Sequence, residues 1–143
     1  MAGIYIHIPF CRRACHYCNF HFSTSLHYKN ELLAALLKEI RLQQSFPGME
    51  SVSSLYFGGG TPSLLENEEV NQLIVEIRTH YNLVPDAEIT LEANPDDLTE
   101  EKLQGWKSAG INRLSIGVQS FFEEDLRWMN RAHTSSQATE GLE

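Results

Sequence analysis

Cysteine is almost missing from this chain of 143 residues: there are three, all between positions 11 and 18. An odd number, with no secretory signal ahead of it, argues against a disulfide framework and for a reducing setting. Long apolar runs are missing as well, and none approaches the ~20 residues of a membrane span. Basic residues are few, 11 Lys and Arg against 19 Asp and Glu, for a net charge of −8. That balance leaves no basic face for nucleic acid. The acidic excess at 66–69, 96–101 and 123–125 falls where helix starts are expected, favoured by the helix dipole. Neither G-K-[ST] after a glycine-rich turn nor G-x-G-x-x-G occurs, which removes the usual nucleotide loops. No repeat and no low-complexity linker is visible. What is left is a single cytoplasmic domain large enough for a real core.

The patterning that is present alternates between two periods. Residues 3–9 (GIYIHIP) alternate like a strand stopped by Pro9, and residues 26–44 carry Leu32, Leu33, Leu36, Leu37 and Ile40 at helical spacing. A turn at 45–50 with Pro47-Gly48 leads to a strand at 52–57 and the run Gly58-Gly59-Gly60-Thr61-Pro62-Ser63. A helix is expected at 66–81, a strand at 88–93, and a helix at 99–109 capped by Thr99 and closed by Gly110. A strand at 112–119, a short helix at 122–130 and the start of another at 134–143 complete the chain. Strand–loop–helix four times over requires parallel strands with crossover helices, and the later spacing approaches the ~30 residues of a barrel unit. The fold class is therefore α/β, a partial (β/α) barrel. The cysteines, the glycines, the stretch Glu92–Asp96 and Gln119 each follow a strand, at the rim where such folds place their sites.

The loop Phe10–Phe20, FCRRACHYCNF, spaces its thiols C-x3-C-x2-C. Soft thiolates gathered on one loop suit zinc or an iron–sulfur cluster. Zinc would need a fourth ligand, with His16 and His21 the candidates for a Cys3His tetrahedron. A four-iron cluster held by three thiolates would instead keep one iron open to a small molecule. The three glycines after the second strand permit close backbone approach to a ligand, and by themselves they fit a plain tight turn equally well.

The motifs YIHIPFC-x3-C-x-Y-C-x-F, YFGGGTPS, TLEANPD, RLSIGVQSF and NRAH together resemble the radical SAM family of oxygen-independent coproporphyrinogen III oxidases and their HemW-type relatives. The resemblance runs from Gly3 to His133. It implies that Cys11, Cys15 and Cys18 bind a [4Fe–4S] cluster, and that Tyr5, Gly59, Gly60, Thr61, Glu92, Gln119 and Arg131 hold or flank S-adenosylmethionine (SAM). Tyr5 as a wall residue, Glu92 on the outward phase, and Gln119 with Arg131 as a rim pair are the ordinary rivals. Phe20 discriminates within the family. Oxidases carry a further cysteine there, whereas CNF matches the HemW-like branch, so the resemblance implies a haem chaperone that binds haem and passes it to acceptor proteins. A decarboxylase of porphyrinogen propionates in haem biosynthesis is the alternative, and a zinc-binding structural module the remote one. Members of the family have about six βα units and a C-terminal domain, so residues 1–143 are expected to be the N-terminal part of a radical SAM domain, with an uncovered edge at 112–118 that favours association.

Overall fold

The computed structural model of the chain describes residues 2–46, 48 and 50–142. Pro47, in the expected turn, and Glu143, at the end of the expected last helix, lie outside those residues. Four strands, β1 (Ala2–Ile8), β2 (Val52–Gly59), β3 (Leu83–Ala93) and β4 (Arg113–Ile116), form one sheet in sequential order with every neighbouring pair parallel. The crossovers are α1 (Lys29–Leu42), α2 (Asn67–His80) and α3 (Glu100–Ala109), and two short helices, α4 (Glu123–Trp128) and α5 (Ser135–Glu140), follow β4. Among the described residues the sheet does not close, and β1 and β4 are its edges. The architecture is a section of (β/α) barrel wall. No helix among the described residues is long and apolar enough to cross a membrane.

Alternation along the strands decides which face meets the helices. Ile6 and Ile8 of β1, Leu55 and Phe57 of β2, and Ile89, Leu91 and Ala93 of β3 share one face. They form a single core with Leu33 and Ile40 of α1, Val70, Leu73, Ile74 and Ile77 of α2, and Trp106 and Ala109 of α3. The opposite face is polar: Tyr5 and His7, Tyr56 and Gly58, Thr90 and Glu92, with Ser115 across from Glu92. A sheet with apolar residues on one face only, all three crossover helices packed there, leaves the other face for chemistry. This separates the fold from a doubly wound sheet, whose strands are apolar on both faces.

Boundaries differ from the spacing-based expectation where pairing extends or ends an element. β2 continues through Gly58 and Gly59, because Ile8 pairs with Gly59 and keeps the backbone in the ladder. β3 starts at Leu83, ahead of its apolar alternation, since Leu83 pairs with Val52 across an irregular register. β4 stops at Ile116, short of the expected residue 119. As an edge it pairs only with β3, and Gln119 takes a left-handed conformation, φ 64°, that leaves the sheet. Thr99 caps α3 by accepting a hydrogen bond from the Lys102 amide, and Gly110 ends that helix at φ 103°. At that angle a Cβ is strained whatever surrounds it, so Gly110→Ala is expected to cost about 1 kcal/mol. A lower urea midpoint with an unchanged slope is the measurement that checks it.

Candidate functional site

The cysteine loop leaves β1 at Pro9 and is closed at its base. The Ser23 amide donates to the Pro9 carbonyl at 2.7 Å, the Cys11 amide donates back to Ser23 O at 3.0 Å, and the Phe10 ring is buried beneath. The glycine turn hangs on the same strand end: Gly60 N donates to Ile8 O at 2.8 Å and Thr61 N to Phe10 O at 2.7 Å. A Cβ on Gly60 would sit 2.5 Å from Phe10 O and 3.0 Å from Cys11 Sγ. Only a hydrogen at that position lets the two loops lie so close. Further along, the Cys18 amide donates to Cys15 O at 3.1 Å, a turn that puts the second and third thiols on the same side.

The far side of the cysteine loop is held by the segment after α4. His16 N donates to Met129 O at 3.1 Å, His16 Nδ1 lies 2.8 Å from Trp128 O, and the Asn130 side-chain amide donates to Ala14 O at 2.9 Å. Asn130 is left-handed at φ 58°, a conformation asparagine tolerates better than most residues. His16 is thereby spent on the backbone. His21 is exposed. Among the described residues no three His, Cys, Asp or Glu side chains, the three thiols included, converge closely enough for a single metal ion.

Cys11, Cys15 and Cys18 are free, half-buried thiols lining one cleft of about 240 Å³. Gly59, Gly60, Thr61, Glu92, Gln119 and Arg131 line it too, and Phe20 stands at its lip, 70% exposed. Burial is the first cause that raises the Cys11 thiol above its ordinary value; Thr61 and Arg131 oppose it, and Cys18 and Cys15 reinforce it. Three thiols facing one cleft from a loop with a closed base are a donor set that fits a cluster with one corner left over.

Glu92 falls on the inward phase. Its carboxylate accepts from Tyr56 OH at 2.7 Å and from the Gly59 amide at 3.2 Å. Arg131 gathers the rim: it donates to Gly117 O at 2.7 Å, Asn94 Oδ1 at 2.9 Å and Tyr17 OH at 3.3 Å, and reaches Cys15 Sγ at 3.6 Å. It forms no local pair with the exposed Gln119. Next to it His133 is buried, its Nε2 3.0 Å from Val118 O, and burial holds the imidazole below its ordinary value.

Tyr5 is the one expected contact that the structure keeps out of the cleft lining. It pairs in register with Tyr56, lower on the polar face than the loops, and is 55% exposed. Its ring stacks on Tyr56 at 6.1 Å, and its hydroxyl lies 3.0 Å from His7 Nδ1. A Cβ on Gly58 would meet the Tyr5 ring at 2.9 Å and Glu92 Oε2 at 3.2 Å, so the two side chains flank one glycine. Tyr17, Tyr56 and Asn94 are cleft or cleft-supporting residues that the motif reading did not single out. The phase of Tyr56, two residues before Gly58 on one strand, is the signal that would have placed it beside Glu92.

Comparison with known proteins agrees with this geometry. A match to the Radical SAM superfamily covers residues 5–143. The chain is 37% identical over 138 residues to the haem chaperone HemW of Escherichia coli (strain K12), spanning 95% of this chain and 36% of that protein. To HemW of Bacillus subtilis (strain 168) it is 40% identical over 135 residues, 93% of this chain and 36% of the relative. It also superimposes on the E. coli coproporphyrinogen III oxidase HemN, a radical SAM enzyme, with TM-score 0.88 and 32% identity, covering 98% of this chain and 33% of that one. The chain thus spans about a third of the length of the relatives it matches. A three-thiol loop on the end of β1, a glycine turn against it, and a family match over nearly every residue identify this chain as a member of the radical SAM superfamily, which implies a [4Fe–4S] cluster and SAM.

Proposed function

We propose that this chain is the cluster- and SAM-binding part of a HemW-like haem chaperone. The observation that carries the reading is Phe20. It sits on the cleft lip beside three half-buried thiols, in the position where the oxidase branch has another thiol. A phenyl ring can pack and exclude water but cannot exchange protons or electrons as a thiol does. HemW relatives at 36–40% identity support the same branch.

In this reading Cys11, Cys15 and Cys18 hold the cluster, which when bound supplies an electron and an open iron site to SAM. Gly59 and Gly60 keep the strand end free of side chains, so that backbone groups meet the ligand. Thr61 is buried against Asn94 and closes the glycine turn. Glu92, fixed by Tyr56 and the Gly59 amide, presents an oriented carboxylate to a ligand hydroxyl or ammonium. Arg131 supplies a planar cation for a carboxylate, backed by Asn94 and Gly117. Gln119 offers an exposed amide at the same rim. Tyr5 flanks the SAM site beside Tyr56 and Glu92. Haem and haem-acceptor proteins are the partners, the cytoplasm is the setting, and residues 1–143 are the N-terminal part of the domain.

The second reading, a coproporphyrinogen III oxidase, is favoured by the close superposition on HemN. The two separate in one experiment on the full-length protein that contains this chain. Reconstituted anaerobically, it is given coproporphyrinogen III with SAM in one arm and haem in the other. Stoichiometric haem binding without porphyrinogen turnover is expected. Catalytic conversion to protoporphyrinogen with no stoichiometric haem binding overturns the carrier assignment.

A further inference from the structure

Arg12 lies directly after the first of the three thiols and is absorbed by none of the roles above. Its guanidinium donates to Asp97 Oδ1, while its Nε stands 3.5 Å from Asp96 Oδ2. The Asp97 side chain is wholly buried, and its second oxygen accepts from the buried Ser63 hydroxyl at 2.6 Å. Ser63 Oγ in turn accepts from the Asn94 amide at 3.2 Å, and Lys102 donates to Ser63 O. A carboxylate removed from water persists only if its charge is matched and its lone pairs are used. Here the matching charge comes from the cysteine loop, 85 residues away in sequence. Arg113–Glu88, by contrast, leaves both partners more than half exposed, at 53% and 55%, and such pairs hold little in place.

The connectivity gives this ion pair a specific office. Arg12 belongs to the loop carrying the thiols, Ser63 to the turn carrying Gly60 and Thr61, and Asp97 to the short 3-10 turn Pro95–Asp97 that follows Asn94, a partner of Arg131. One buried carboxylate therefore joins three of the loops that line the cleft. We infer that Arg12, Asp97 and Ser63 form a clasp that presets the cysteine loop over the glycine turn before any cofactor arrives. Arg12 and Asp97 are thus positioning residues for the cluster. The inference rests on reading the three thiols as cluster ligands. Its consequence is that the ligand set is partly ordered in the apo-protein, so that cluster uptake meets a prepared loop.

Arg12→Gln is the informative variant, because Arg12 is half exposed and removing its charge opens no cavity in the apolar core. In apo-protein, hydrogen exchange at residues 11–18 is expected to speed up about 10-fold, more than at the core strands, with thermal unfolding also lowered because the buried Asp97 loses its charge partner. After reconstitution, cluster loss to a chelator is expected to accelerate about 10-fold, the lower end for lost outer-shell partners. The paramagnetic-resonance change on adding SAM should broaden. Arg12→Lys, which keeps a charge for Asp97, should restore most of both effects, and Arg41→Gln, in a distant surface pair with Glu76, should change neither. Asp97→Asn provides an independent approach from the other loop. If the parent takes up a cluster and Arg12→Gln matches it in exchange and retention, the clasp is wrong. If the parent takes up no cluster, the ligand reading falls instead, and the apo-protein exchange rates still decide the clasp.

Discussion

Cys11→Ser, Cys15→Ser and Cys18→Ser are each expected to abolish the cluster. Protein reconstituted anaerobically should fall from about four irons per chain to almost none, with loss of the broad absorption at roughly 400 nm from thiolate–iron charge transfer. The effect is large because nothing else nearby can replace a lost corner. The described residues hold no fourth thiol, and of the two histidines on the loop His16 already has its Nδ1 2.8 Å from Trp128 O. A serine hydroxyl at ordinary pH stays protonated and is a poor ligand for iron. His16→Ala and His21→Ala should keep full iron content. Stoichiometric zinc with no iron uptake under reducing conditions would overturn the assignment, as would loss of metal in the His21 variant alone.

Gly60→Ala is expected to damage both the fold and the site. The added methyl would lie 2.5 Å from Phe10 O and 2.9 Å from Phe10 N, both backbone atoms, and 3.0 Å from Cys11 Sγ. Backbone cannot rotate away as a side-chain tip can. Either β1 and the glycine turn separate, breaking the 2.7 Å bond from Thr61 N to Phe10 O, or Cys11 is displaced. Overpacking of this kind costs about 1–3 kcal/mol. The urea midpoint should drop, and iron content should fall with it because Cys11 moves. Gly59→Ala should act in the same direction for a different reason: Gly59 is at φ 113°, and its Cβ would meet the His7 ring at 2.6 Å. A Gly60→Ala protein with parental stability and full iron content would show that the two loops are not in contact in solution.

Much of the rim was legible from local spacing. Thiols at C-x3-C-x2-C, three glycines after an apolar strand, and helical periodicity at Leu32–Ile40 are properties of a few consecutive residues, and they came out where expected. Thr99 and Gly110 cap α3 as their residue types dictate, because caps depend on the residue itself and the turn beside it. The parallel order of four strands followed from strand–helix alternation, since a parallel neighbour cannot be reached by a tight turn.

Other features depend on pairs of residues far apart, and spacing has no access to them. The phase of Glu92 was open until register set it beside Tyr56 and Gly59, because a strand read alone has two equivalent faces. Tyr5 was expected to hold or flank SAM, and its register on β1 sets it beside Tyr56 on the polar face. Arg131 was expected to hold or flank SAM, with a rim pair to Gln119 as the rival, and loop closure orients it through Asn94, Gly117 and Cys15. Arg12 carries no signal in the spacing of the thiols around it. Its meaning comes from Asp97, whose burial was invisible in an acidic stretch that resembled an ordinary helix start. Local chemistry chooses the residues that can do the work. Register and loop closure choose which of them meet, because those contacts form only when the sheet is assembled.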